Sequence, residues 1–309
     1  MTALAQATSP LLVVIAGPTA SGKTALSIDL AKHFNSEIIS CDSRQFYREM
    51  TIGTAAPTKE ELQQVKHHFI GHLSIHDYYN VSLYETQALV VAKELFLQLP
   101  VVFLTGGSGL FIETFCHGMD FLPGSDQELR RKIDNEYQSG GITALRIWLN
   151  KLDPGYYNQV DLNNVNRLKR AIEVCIVTGK KYSELRTGNK IARPFRILKI
   201  ALNTGREELF RRIELRTDNM IATGLIEEAR NLYPFRHLNP LNTVGYKEIF
   251  DYFHDTITLS QAVEKIKINT RRYAKRQITW FKKSNEYHWV HPSDLEQVIG
   301  IINREITPT

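Results

Sequence analysis

The sequence predicts an α/β fold: a P-loop NTPase-like parallel sheet flanked by helices, with an all-helical insertion. Three observations predict it. Residues Gly17-Pro-Thr-Ala-Ser-Gly-Lys-Thr24 spell G-x-x-x-x-G-K-[ST] without a mismatch. The apolar run before them, 11–16, reads as a buried strand, and Leu26, Ile28, Leu30 and Ala31 after them read as a helix. A second strand–glycine loop–helix unit follows at 101–116, around Thr105-Gly-Gly-Ser-Gly109.

The first loop carries the chemistry. Its N–H groups and a helix N-terminus converge on one spot and favour an anion there. Lys23 adds a full charge, and the Thr24 hydroxyl can hold Mg²⁺. Gly17, Pro18, Thr19, Ala20, Ser21, Gly22, Lys23 and Thr24 are the expected phosphate-binding residues. The motif grips a diphosphate or triphosphate and does not say what hangs from it. A bare glycine turn is the plain alternative.

The remaining elements follow in order. Glu37-Ile-Ile-Ser-Cys reads as a second strand ending at Asp42. Ligand crevices of open α/β sheets lie at the carboxyl ends of strands, so Asp42 is expected to face the phosphate loop. Residues 52–57 read as a loop, and Thr58 with Glu61 has capping-box spacing for a short helix. His67, His68, His72 and His76 cluster next. Their spacing fits no common ligand pattern on one helix face, and a strand through Phe69-Ile70 is the favoured reading over a metal site. An amphipathic helix is expected over 81–99, then a buried strand over 101–104. The loop at Thr105–Gly109 is either a second ligand loop or a tight turn.

From 126 to 193 the pattern is helical throughout, clearest over 128–137, 142–152 and 165–177. The stops are Gly140-Gly141, Asp153-Pro154-Gly155 and Thr178-Gly179. The expected organisation is a discontinuous core, 1–122 with 194–309, and a helical insertion, 123–193. A strand over 195–202 returns to the sheet. Helices are expected over 206–222, 226–233, 246–253, 259–283 and 294–304, with a last strand over 287–290.

The helix over 259–283 bears Lys265, Lys267, Arg271, Arg272, Lys275, Arg276, Lys282 and Lys283, with no acid between 265 and 283. Ile266, Tyr273 and Trp280 recur every seven residues and read as a stripe packed on the core. Like charges at this density repel, so phosphate contact is the favoured reading of the basic face. Asn166-Arg-Leu-Lys-Arg170 is a second basic cluster, on the insertion.

Bulk properties narrow the class. The 309 residues are 43% hydrophobic and 23% charged, as in ordinary globular proteins. Net charge is +5, split unevenly: 7 − 10 = −3 over 1–115, 18 − 12 = +6 over 116–215 and 13 − 11 = +2 over 216–309. The positive middle points weakly to a polyanion. No apolar run approaches the ~20 residues of a membrane span. No signal peptide is expected, because no basic stretch followed by a long apolar one opens the chain. Cys41, Cys116 and Cys175 are isolated, which argues for a reducing cytoplasm and against a zinc site.

With these motifs in view, the chain resembles the tRNA dimethylallyltransferases, also called tRNA isopentenyltransferases, over nearly its whole length. Gly17–Thr24 resembles their phosphate loop. Asp42-Ser-Arg-Gln-Phe-Tyr47 with Ile52-Gly-Thr-Ala-Ala-Pro57 is similar to D-S-x-Q-x-Y…I-G-T-A-K-P. Thr105-Gly-Gly-Ser-Gly-Leu110 resembles G-G-[ST]-x-L-Y, and Asn166–Val174 resembles R-x-x-R-A-[LI]-E-V. Val244-Gly-Tyr246 and Tyr273-Ala-Lys-Arg-Gln-Ile-Thr-Trp280 match two further motifs. Ala56 and Phe111 depart from the usual Lys and Tyr.

The resemblance implies transfer of a prenyl group from dimethylallyl diphosphate to the exocyclic amine of the adenosine 3′-adjacent to the anticodon in tRNA. It implies catalytic roles for Asp42, Thr19 and Arg216, and Mg²⁺ on Thr24. It implies tRNA contacts at Asp42, Ser43, Arg44, Gln45 and Thr105, at Asn166, Arg167, Leu168, Lys169 and Arg170, at Val244, Gly245 and Tyr246, and at Lys275, Arg276 and Gln277. A cytoplasmic monomer is expected, with the insertion as a clamp on the anticodon stem. Three rivals stay open on the sequence: a small-molecule kinase, an isopentenyltransferase acting on free adenine nucleotides, and a nucleotide-switched RNA-binding protein. ATP in the loop, beside the prenyl donor, also stays open.

Overall fold

Alternation along the first strand decides the layering. In β1 (Leu11–Ala16) every residue is buried, and neighbours point to opposite faces. Leu12, Val14 and Ala16 enter one core; Leu11, Val13 and Ile15 enter the other. A strand apolar on both faces belongs inside a sheet covered by helices on both sides. The computed structural model, which describes residues 9–120 and 122–306, has that arrangement.

The core unit comprises β1, α1 (Lys23–His33), β2 (Ile38–Ser40), α2 (Lys59–Gln64), β3 (His67–His68), α3 (Val81–Leu95), β4 (Val101–Gly106) and α4 (Gly109–His117). The insertion contains α5 (Gln127–Leu152), α6 (Pro154–Tyr157), α7 (Val165–Thr178) and α8 (Tyr182–Leu185). The core resumes with β5 (Arg196–Leu202), α9 (Arg206–Ala222), α10 (Leu225–Leu232), α11 (Tyr246–Phe253), α12 (Leu259–Phe281), β6 (Tyr287–Val290) and α13 (Leu295–Ile306). The strands run β3-β2-β4-β1-β5-β6, and every pairing is parallel.

One face of the sheet is covered by α1 and α13, through Leu26, Leu30, Val298 and Ile302. The other is covered by α3, α4 and α10 to α12, through Tyr84, Ile112, Leu225, Ile249 and Phe281. Cutting a β1 leucine to alanine would cost about 2–5 kcal/mol, because no neighbour can fill the space.

The chain divides into two compact units, 1–116 with 193–309, and 117–192. The division expected from composition was at 122/123 and 193/194; residues 1–8, 121 and 307–309 lie outside the described residues. Within the insertion, α5 holds the two expected helices, broken at Gly141 with φ 64° and ψ −163°. Its core is Leu129, Ile133, Leu145, Leu149, Leu168 and Ile172. Buried Glu173 pairs with Arg130 and Arg170.

Two expectations are corrected. The helix over 81–99 stops at Leu95, four residues short, in a turn where the N–H groups of Phe96 and Leu99 still reach back. The Ile266–Tyr273–Trp280 stripe loosens toward its far end: Ile266 is 2% exposed, whereas Trp280 is 38% exposed with one edge of its ring against Gly109.

Candidate active site

Strand register fixes the floor of the site. Ile15 faces Thr105 on β4 and Ile200 on β5, and Ser40 of β2 also faces Thr105. Two residues further along each strand stand Gly17, Gly107, Leu202 and Asp42. The phosphate loop and Asp42 therefore leave the same sheet edge, two strand spacings or about 10 Å apart, with the second glycine loop between them.

Gly22 ends the first loop at φ 92°, a left-handed conformation suited to glycine, and forms the N-cap of α1. It supplies no side-chain cap, so the first N–H groups of α1 stay open to a ligand. Ser21 is fully buried, and among the described residues its hydroxyl has no hydrogen-bond partner. A buried, unpaired hydroxyl costs about 1–3 kcal/mol, which a phosphate oxygen in the loop would relieve.

Lys23 donates to Pro18 O at 2.8 Å. Burial pushes its ammonium down to about 8; the charge of Asp42 raises it and that of Arg216 lowers it further. Arg216 arrives from α9 and donates to Thr19 Oγ1 at 2.9 Å. Burial lowers its pKa and the charge of Asp42 opposes that, but a guanidinium stays protonated. Asp42 accepts from Arg44 N at 3.2 Å, and among the described residues no cation closes an ion pair with it. Two cations and a carboxylate thus feel one another across a gap without neutralising one another by contact.

Gln277 of α12 ties the loops together. It accepts from Thr19 N at 2.9 Å and donates to Gly107 O at 2.8 Å. Ser43 N and Ser43 Oγ both lie 3.2 Å from Ser108 Oγ, which joins the Asp42 segment to the second glycine loop. The 105–109 segment is therefore tied both to the phosphate loop and to the Asp42 segment. The phenol of Tyr273 is pushed up by burial and then by the charge of Asp42.

Several residues expected to touch tRNA are turned inward. Gln277 is 6% exposed and spends its amide on the two loops. Tyr246 is fully buried and donates to Glu228. Thr105 donates to Ser27 Oγ at 2.8 Å, and Leu168 belongs to the core of the insertion. Arg44 donates to the carbonyls of Asn239 and Pro240, and Gln45 to those of Thr54 and Ala55. In this structure these side chains serve packing and loop geometry. Val244 is half-buried, and Gly245 at φ 101° caps α11.

Asn166 and Arg167 are exposed on α7, while Lys169 pairs with Asp134 and Arg170 with Glu173. On α12, Lys267 pairs with Asp218 and Arg271 with Glu214, so acids of α9 neutralise part of the basic run. Arg272, Lys275, Arg276 and Lys283 remain exposed or half-exposed with Trp280 around a groove of about 370 Å³. A larger cleft of about 650 Å³, lined by Lys32, Glu37, Lys66 and His68, contains none of the phosphate-loop residues.

The histidines serve the fold. His68 bonds Glu37 at 2.6 Å, His67 bonds Val65 O, and His72 packs edge-on against Phe46, Phe69 and Tyr79. Sequence reasoning missed Glu228 and Tyr273. The first looks like any acid in the first turn of a helix, and the second like one more core ring.

A glycine-rich loop at the carboxyl end of an interior parallel strand, with a carboxylate at the end of β2 on the same edge, defines a P-loop-like α/β protein. The IPP transferase family model matches residues 45–284. The chain is 49% identical over 286 residues to a tRNA dimethylallyltransferase 2 of Azobacteroides pseudotrichonymphae, covering 93% of each chain. Its structure resembles the full-length tRNA isopentenylpyrophosphate transferase of Bacillus halodurans, with TM-score 0.72, 34% identity and 97% of each chain covered. It also resembles a eukaryotic dimethylallyltransferase acting on tRNA, with TM-score 0.78, 27% identity, 96% of this chain and 80% of that one. The chain belongs to the IPP transferase family, the family of the tRNA dimethylallyltransferases.

Proposed function

We propose that this enzyme transfers the dimethylallyl group of dimethylallyl diphosphate to the exocyclic amine of the adenosine 3′-adjacent to the anticodon in tRNA. One observation carries the mechanism: the Asp42 carboxylate, in no ion pair among the described residues, shares a crevice with Lys23 and Arg216 at the phosphate loop.

The diphosphate lies in the Gly17–Thr24 loop, against the open N–H groups of α1 and the Ser21 hydroxyl. Lys23 and Arg216 face the oxygens that gain charge as the carbon–oxygen bond breaks, and Thr19 is held beside them by Arg216 and Gln277. The adenine nitrogen forms the new bond to the allylic carbon, and diphosphate leaves with the electron pair. Asp42 orients the amine and accepts its proton.

The donor set suits a hard cation: the half-buried Thr24 hydroxyl and the Asp42 carboxylate offer only oxygen. Mg²⁺ held by Thr24 and the diphosphate would supply charge neutralisation of the leaving group.

A base inside a stem-loop must be splayed out to enter such a crevice. The exposed cations of α12 and of α7 are suited to the stem phosphates. The protein acts as a monomer in the cytoplasm on this reading. The test is transfer of label from dimethylallyl diphosphate to tRNAs with and without adenosine after the anticodon, beside free AMP. Faster labelling of AMP, or ATP turnover without transfer, would overturn the reading.

A further inference from the structure

The loop after Met50 is gripped from both sides. On one side stands Glu228 of α10. Its Oε2 accepts from Thr51 N at 2.9 Å, Thr51 Oγ1 at 3.0 Å and Ile52 N at 2.8 Å. Its Oε1 accepts from Gly53 N at 2.8 Å and Tyr246 Oη at 2.6 Å. Five donors fill the accepting capacity of one carboxylate. The Tyr246 ring is packed so closely that a Cβ at Gly53 would fall 2.5 Å from its Cζ. On the other side the carbonyls of Thr54 and Ala55 receive the Gln45 amide, at 3.3 and 3.0 Å, and the Arg216 guanidinium, at 3.4 and 3.5 Å. The same guanidinium holds Thr19 Oγ1.

We propose that Glu228 is a positioning residue for the transfer reaction: through the 51–55 loop it fixes where the Arg216 guanidinium stands against the phosphate loop. The proposal rests on the assignment of Arg216 to the diphosphate. It gives two separate stretches one purpose. Ile52-Gly-Thr-Ala supplies the N–H groups and the carbonyls; Gly245-Tyr246 supplies the wall and the fifth donor. Among the described residues no carboxylate contacts Arg216, so the two carbonyls and the Thr19 hydroxyl set its direction. A guanidinium aimed by neutral acceptors keeps its charge for a ligand, whereas a salt-bridged one would be partly spent.

Glu228→Gln tests this. The amide puts an NH₂ group against two or three of the five donors, so the loop must shift. The KM for dimethylallyl diphosphate should rise and kcat fall, each by about tenfold, with the Kd for tRNA within about twofold of wild type. Tyr246→Phe removes one donor and should cost about threefold in the same direction. The decisive readout is a double-mutant cycle with Arg216→Lys. If Glu228 acts through Arg216, the second substitution adds little in the Arg216→Lys background. Losses that multiply, or a fall in thermal midpoint with donor KM and kcat unchanged, would overturn the proposal. An Arg216→Lys enzyme with wild-type donor kinetics would instead overturn the assignment of Arg216, and the proposal with it. Should Glu228→Gln fail to fold, the same cycle is run with Tyr246→Phe.

Discussion

The phosphate-loop crevice and the interior of the helical insertion both bury charge, and they treat it in opposite ways. In the insertion, Glu173 is 1% exposed and fully engaged: Arg130 at 2.8 Å, Arg170 at 2.8 Å and Asp126 N at 3.1 Å. Asp153, also buried, accepts from Tyr156 N, Ser183 N and Ser183 Oγ. In the crevice, Lys23, Arg216 and Asp42 sense one another's charge, yet their contacts go to a carbonyl, a hydroxyl and backbone groups. Closed networks hold a fold together; charges left open toward one space await a ligand.

The largest expected effect tests the open set. Asp42→Asn keeps the acceptor for Arg44 N and removes the charge. Transfer should fall about 10²–10⁴-fold, the usual worth of a positioned base, while tRNA affinity holds. Thermal stability should not fall, because Asp42 forms no ion pair among the described residues. A clear drop in midpoint would make Asp42 a structural anion like Glu173 and erase the contrast.

The closed set comes next. Glu173→Gln leaves Arg130 and Arg170 without their carboxylate; both arginines are partly exposed to water, so the expected cost is about 1–3 kcal/mol. Urea unfolding should show that loss, with dimethylallyl diphosphate still bound by the folded protein. Loss of donor binding at full stability would contradict the division of labour.

How far the sequence reaches follows the same line. Period and punctuation located β1, α9, α11 and β6, because alternation, caps and prolines act over a few residues. The glycine loop and Asp42 were legible as a strand-end pair, since both leave the same edge of a parallel sheet. Glu228, Gln277 and Tyr273 were not legible in their actual roles. Each works through a partner far along the chain, Gln277 and Thr19 being 258 positions apart, and no local spacing encodes that. The basic run on α12 misled in part for the same reason: the acids that neutralise Lys267 and Arg271 sit on α9.

The exposed cations give the third prediction. Lys275→Ala with Arg276→Ala should weaken tRNA binding about 20-fold and lower the salt slope by about 2, with donor KM unchanged. An unchanged slope would move the RNA contact off α12.

The smallest effect is the finest probe of the open set. Burial holds the Lys23 ammonium near 8, far below an ordinary lysine. In the ligand-free protein it therefore loses its proton as pH rises through about 8, while a bound diphosphate keeps it charged. Donor affinity should fall with rising pH, by about fourfold at pH 8.5, with a limiting slope of about tenfold per pH unit above that. Stability of the ligand-free protein runs the other way. Between about 8 and 10.5 the unfolded chain binds a proton that the folded one has released, so this group makes stability rise with pH there. Calorimetric titration of dimethylallyl diphosphate from pH 7 to 9, beside urea unfolding over pH 8 to 10, measures both signs. Donor affinity that stays flat would mean Lys23 does not meet the diphosphate, and the crevice would then be a closed network like the insertion.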